Sequence, residues 1–129
     1  MTKTYFDIAY DLIFANVRLL NYNDEPYFNI YDLGINFGLS RWNGKTYDKL
    51  GNKKESANKA RIHKIIQESN IVPIVLEGSS YITYWEVFDF LFNTNTTNSY
   101  YICKLLSRYV IAKEFEKDTN KFNSRIGDK

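Results

Sequence analysis

The chain has 129 residues, enough for one domain of ordinary size and too few for two with separate cores. Hydrophobic residues make up 44%, charged residues 25% and aromatic residues 17%, a balance that excludes a disordered tail and predicts a core rich in rings. The net charge of +2 is too small to declare a polyanionic partner, and no apolar run approaches the roughly 18 to 20 residues of a membrane helix.

Tyr5, Ile8, Ala9, Leu12 and Ile13 follow the spacing of an amphipathic helix. Asn16–Leu20 and Tyr27-Phe28 flank Asn21–Pro26, whose Asn, Asp and Pro residues are turn formers, so this stretch reads as a β-hairpin. Asn29 then caps a short helix through Ile30, Leu33 and Phe37, with Asp32 favoured by the helix dipole and Gly38 as the stop. Residues 39–55 contain two glycines and two asparagines without sustained periodicity, which predicts an exposed loop. Ser56 is placed to cap a helix from Ala57 to Ser69, whose apolar stripe is only Ile62, Ile65 and Ile66.

Ile71–Leu76 is short and β-branched, and Glu77–Ser80 turns it back into Tyr81-Ile82, a second hairpin with Pro73 on an edge. Thr83-Tyr84-Trp85-Glu86 has the form of a capping box, and Ile82 with Val87 completes a hydrophobic staple around it. The helix it starts ends in the polar run Asn93–Asn98. A last helix from about Ser99 aligns Ile102, Leu105, Leu106, Tyr109 and Val110, and a polar tail from about residue 117 is expected to fray. Tyr100, Tyr101, Tyr109 and Phe115 add apolar area to this helix, a candidate surface for a homodimer. The single cysteine, Cys103, lies in the apolar stripe and reads as a small core hydrophobe. No internal repeat is visible. The whole is expected to be an α+β fold, one compact domain over 1–129 with two β-hairpins packed with four or five α-helices.

Catalytic chemistry has little to stand on. With one histidine, His63, and one cysteine, no Cys/His metal set can be assembled. His63 sits among lysines, whose charge opposes the protonation a general base must undergo. Asp7 with Asp11, and Glu86 with Asp89, are carboxylate pairs that helix-start charge and solvation explain. There is no P-loop, no Gly-x-Gly-x-x-Gly and no Asp/Glu-x-Lys triplet. The expectation is a non-enzymatic protein without metal or cofactor.

Charge is unevenly placed. Residues 1–40 carry Lys3 and Arg18 against Asp7, Asp11, Asp24, Glu25 and Asp32. Residues 41–64 carry Arg41, Lys45, Lys49, Lys53, Lys54, Lys59, Arg61 and Lys64 against only Asp48 and Glu55, a net of +6. Residues 65–100 have four acids and no base. The basic block also contains Trp42 and Tyr47, a mixture that neutralises phosphates and stacks on bases, although aromatic residues in such a segment equally serve to anchor it to the body. These ten residues are the candidate nucleic-acid-binding set.

The run Val17–Leu20 followed by Glu25–Leu39 resembles the opening of the Bro amino-terminal domain of phage antirepressors and large DNA viruses. Phe28, Asp32, Leu33, Phe37 and Gly38 fill that pattern's hairpin-end aromatic, Asp, aliphatic, large apolar and Gly positions. Tyr81 matches its second-hairpin tyrosine, and Leu106-Ser107-Arg108-Tyr109-Val110 is similar to its closing helix. Asn23-Asp24 and Ser79-Ser80 stand where the family usually has glycine-containing turns. The resemblance implies DNA binding. Phe, Tyr, Met, Ile, Asn and Lys, the residues of A/T-rich codons, together far outnumber Gly, Ala, Arg and Pro, in keeping with a low-GC bacterium or its phages.

Two functions follow as expectations. One is a DNA-binding regulator of a phage or mobile element that contacts duplex DNA through the basic segment. The other is a small anti-CRISPR or other anti-defence inhibitor that binds a host nucleic-acid-binding protein. Either would be cytoplasmic, since the first residues lack the blocks of a signal peptide.

Overall fold

The computed structural model describes residues 3–47 and 53–127, the side chains of 41–47, 53–55 and 115–127 excepted. The described residues form five α-helices, a four-stranded antiparallel sheet and a separate two-stranded ribbon, the mixed α+β architecture the sequence predicts. Among them no helix is long and apolar enough to cross a membrane.

Helix α1 (Tyr5–Phe14) starts at a capping box that the apolar spacing alone does not reveal. Thr4 Oγ1 accepts from the Asp7 amide at 3.1 Å, and the Asp7 carboxylate accepts from the Thr4 amide at 3.0 Å. Those Thr4 bonds hold the Asp7 carboxyl below its usual pKa. Asp11 pairs with Lys3 at 2.7 Å, so both acids of this pair have local roles.

The first hairpin joins β1 (Leu19–Tyr22) to β2 (Glu25–Asn29). Asn23 and Asp24 both take positive φ, 52° and 61°, the twist-matched turn that Asn and Asp tolerate. Asn29 ends the strand and caps α2 (Ile30–Asn36), as expected. Gly38 follows with φ 87°, and the amide of Leu39 returns to the Gly34 carbonyl at 2.7 Å.

The second hairpin, β5 (Ile74–Leu76) and β6 (Ser79–Thr83), turns through Glu77 and Gly78, again both at positive φ. Thr83 caps α4 (Tyr84–Asn93) with the reciprocal box, the Glu86 carboxylate accepting from the Thr83 amide at 2.9 Å. Ile82 and Val87 of the staple are both fully buried. We expect Thr83→Ala to cost about 1 kcal/mol in urea denaturation. A cost below a few tenths would remove this cap from the energetics of the fold.

The sheet order is β1-β2-β6-β5, with Tyr27 opposite Thr83, Phe28 opposite Ile82 and Asn29 opposite Tyr81. This register reveals an internal repeat, a correction to the expectation of none. An offset of 54 residues carries the Asn23-Asp24 turn onto Glu77-Gly78, Asn29 onto Thr83 and α2 onto α4. The two hairpin–helix units are related by a pseudo-two-fold axis through the Phe28–Ile82 pair.

Between the units lies a second correction. Residues 39–55 are not a loop: β3 (Ser40–Tyr47) and β4 (Lys53–Ala57) pair antiparallel, with a register shift between Trp42 and Tyr47. Ser56 therefore sits in β4 opposite Arg41, and Asn58 caps α3 (Lys59–Glu68) in its place, accepting from the Arg61 amide at 3.3 Å.

Helix α5 runs Thr97–Gly127, through the stretch from 117 expected to fray. Thr96 caps it, accepting from the Ser99 amide at 3.0 Å, and bonds the Phe37 carbonyl. The helix packs along α1, and its buried apolar residues, Ile102 and Leu105, join the core, whereas Val110, expected in that stripe, is exposed. Cys103 is half-buried against the core, which pushes its thiol pKa up. Phe37 and Phe90, both fully buried and 5.1 Å apart edge to face, join the two units at the centre of the core.

Candidate nucleic-acid interface

The described residues of the basic segment form a two-stranded ribbon followed by a helix. Its root is fixed in the core. Leu39, which leads into β3, is buried, and its carbonyl accepts from the Asn58 amide at 2.9 Å, closing the ribbon's base beside the Ser40–Ala57 pair.

Helix α3 presses its stripe of Ile62, Ile65 and Ile66 into the core. The approach to α2 is close because Gly34 has no side chain: a Cβ there would lie 2.3 Å from Ile62 Cδ1. With that face buried, Lys59, Arg61, His63, Lys64 and Gln67 are left exposed.

The structure thus places the ten predicted residues as follows. Arg41, Trp42, Lys45 and Tyr47 lie on β3, Lys53 and Lys54 on β4, and Lys59, Arg61 and Lys64 on α3. Lys49 lies outside the described residues. Strand β3, at about 3.3 Å per residue, spans roughly 26 Å, and a ribbon of two strands is narrow enough for the major groove.

One contact that sequence reasoning missed orients α3. Tyr31, on α2, hydrogen-bonds His63 Nε2 through its hydroxyl at 2.8 Å, and Lys59 Nζ stands 5.2 Å from its ring centroid. Lys59 and His63 are four apart, so both reach the same side of α3; that spacing was the available signal, but nothing in sequence named Tyr31 as the partner. The nearby acid is occupied elsewhere: Asp32 accepts from the Arg18 amide at 2.9 Å and from its guanidinium at 2.8 Å. Asp32 in turn holds the Arg18 pKa up. Among the described residues, Lys59, Arg61 and Lys64 form no salt bridge.

The five residues that carry the resemblance to the Bro amino-terminal domain all have folding roles. Phe28, Leu33 and Phe37 are buried, Asp32 pairs with Arg18, and Gly38 takes positive φ. No protein-family model, curated protein or solved structure matches the chain.

Proposed function

We propose that this protein is a non-enzymatic DNA-binding regulator of a phage or mobile element, contacting duplex DNA through the β3–β4 ribbon and α3. The observation that supports it most is the continuity of the charge-rich segment. Residues 41–47 and 53–64, together a net +6, fall on one ribbon and the helix that follows it, both rooted in the buried core. Cations concentrated on such an element neutralise phosphates, and the ribbon and helix have the dimensions to enter a groove. The likeness to the Bro amino-terminal domain points the same way.

Fluorescence anisotropy of a labelled random duplex across a salt series tests the reading. Each phosphate contact contributes about 0.9 to the slope of log affinity against log salt. We expect Lys59→Glu/Lys64→Glu and Lys53→Glu/Lys54→Glu each to weaken binding uniformly across sequences and to flatten that slope by about 2. Unchanged slopes would remove these lysines from the site. If the protein fails to shift duplex DNA at low salt and instead retains a host protein through nuclease treatment, the segment serves an inhibitor of that host protein.

A further inference from the structure

The internal repeat shows that the two units are covered differently. On α2 the side that bears Tyr31 and Gly34 is covered by α3, which contributes His63, Lys59 and Ile62. The offset of 54 carries those two positions onto Trp85 and Phe88 of α4, where α5 packs against the helix but leaves Trp85 uncovered. Trp85 is 75% exposed and Phe92, two turns further along α4, is 62% exposed. The uncovered strip continues onto α5. A cleft of about 470 Å³ runs between Phe92 and the Cys103, Leu106, Val110 and Ile111 side chains, and Ile111 is 67% exposed.

The two flanks of this strip differ in charge. The α4 side carries exposed Asp89, within a stretch of 36 residues that has no lysine or arginine. The α5 side carries Lys104 and Arg108, both exposed. A face with an acidic flank, an apolar centre and a basic flank is self-complementary under a two-fold rotation, because each flank of one copy meets the opposite flank of the other.

We propose that the occupant is a second copy of this chain, docked so that α4 and α5 of each copy close into a four-helix contact, with α5 of the partner lying over Trp85 and Phe92. This moves the self-association surface away from the side expected from sequence, where Tyr109 is engaged with Phe6 of α1, their rings 5.4 Å apart. The inference does not depend on the DNA-binding reading. A two-helix face sits at the low end of specific interfaces, so the dimer should form in the micromolar range.

Sedimentation equilibrium of the full chain tests this. Ile111→Glu and Phe92→Glu should each raise the dimer dissociation constant by at least about tenfold, with far-UV circular dichroism unchanged because both side chains are surface-exposed. Asp89→Arg and Arg108→Asp should each weaken the dimer, and the two together should restore most of it. In a Trp42→Phe background, the emission of Trp85 should shift to the blue as the dimer forms. A monomer at all accessible concentrations, a dimer indifferent to Ile111→Glu and Phe92→Glu, or a charge exchange that fails to restore association would each overturn the proposal. So would a Trp85 emission that does not change between monomer and dimer.

Discussion

Phe90→Ala is expected to destabilise the protein by about 3 to 5 kcal/mol, the largest single effect of any truncation discussed. Phe90 has no solvent exposure and meets Phe37, equally buried, edge to face at 5.1 Å. The removed ring would forfeit its transfer free energy and leave a cavity whose walls, Phe37 included, are held by helices α2 and α4 from opposite units. Because a domain of this size is stable by only about 5 to 15 kcal/mol, the variant should lose about a fifth or more of its stability. Urea denaturation followed by circular dichroism is the measurement, with the m-value expected to stay constant. A double-mutant cycle with Phe37→Ala should return a coupling of about 0.5 to 1.5 kcal/mol for the ring pair. A loss below about 1 kcal/mol for Phe90→Ala would mean that the site collapses freely and that the two units are not locked together there.

Asn29→Ala should follow at about 2 to 3 kcal/mol, more than the roughly 1 kcal/mol of an ordinary cap. The difference lies in burial. Asn29 is fully enclosed, its Oδ1 accepts from the amides of Tyr31 at 3.0 Å and Asp32 at 3.1 Å, and its Nδ2 donates to Ser79 Oγ at 2.9 Å. One side chain thus starts α2 and ties the first unit to the first residue of β6. Asn29→Ser keeps a capping oxygen and loses the reach to Ser79, so it should fall between wild type and the alanine variant. An alanine cost equal to that of Thr83→Ala would show that the tie to Ser79 adds nothing.

Local chemistry makes some of these elements legible in the sequence itself. Thr83 with Glu86, Asn29 before an apolar helix, and Gly38 at a helix end each satisfy orphaned backbone groups in a way that only a few residue types can. The β3–β4 ribbon leaves no such trace. Its strands mix Ser, Arg, Asn, Gly, Lys and Glu, so the period of two that marks a half-buried strand never arises. The repeat is hidden for a related reason. Asn23-Asp24 and Glu77-Gly78 meet the same turn geometry, and Asn29 and Thr83 the same capping need, with different residues, and in the strands that pair at the pseudo-two-fold only Tyr27 and Tyr81 coincide in type. For the site, the cations are visible as a block, whereas the Tyr31–His63 bond joins residues 32 apart and belongs to packing alone.

The way the ribbon is tied at its base has an evolutionary consequence. Its two ends are a paired Ser40 and Ala57, backed by the bond from Asn58 to Leu39, so they stay about 5 Å apart whatever chain runs between them. Insertions there are thermodynamically inexpensive, since doubling the length of a closed loop costs only about 0.6 kcal/mol. Five of the eight basic residues of segment 41–64 lie on that excursion, and both copies of the hairpin–helix unit lie outside it. Lineages of this protein are therefore free to lengthen, shorten or exchange the excursion, and with it the surface it presents, while the frame that carries it drifts slowly under the demands of its core.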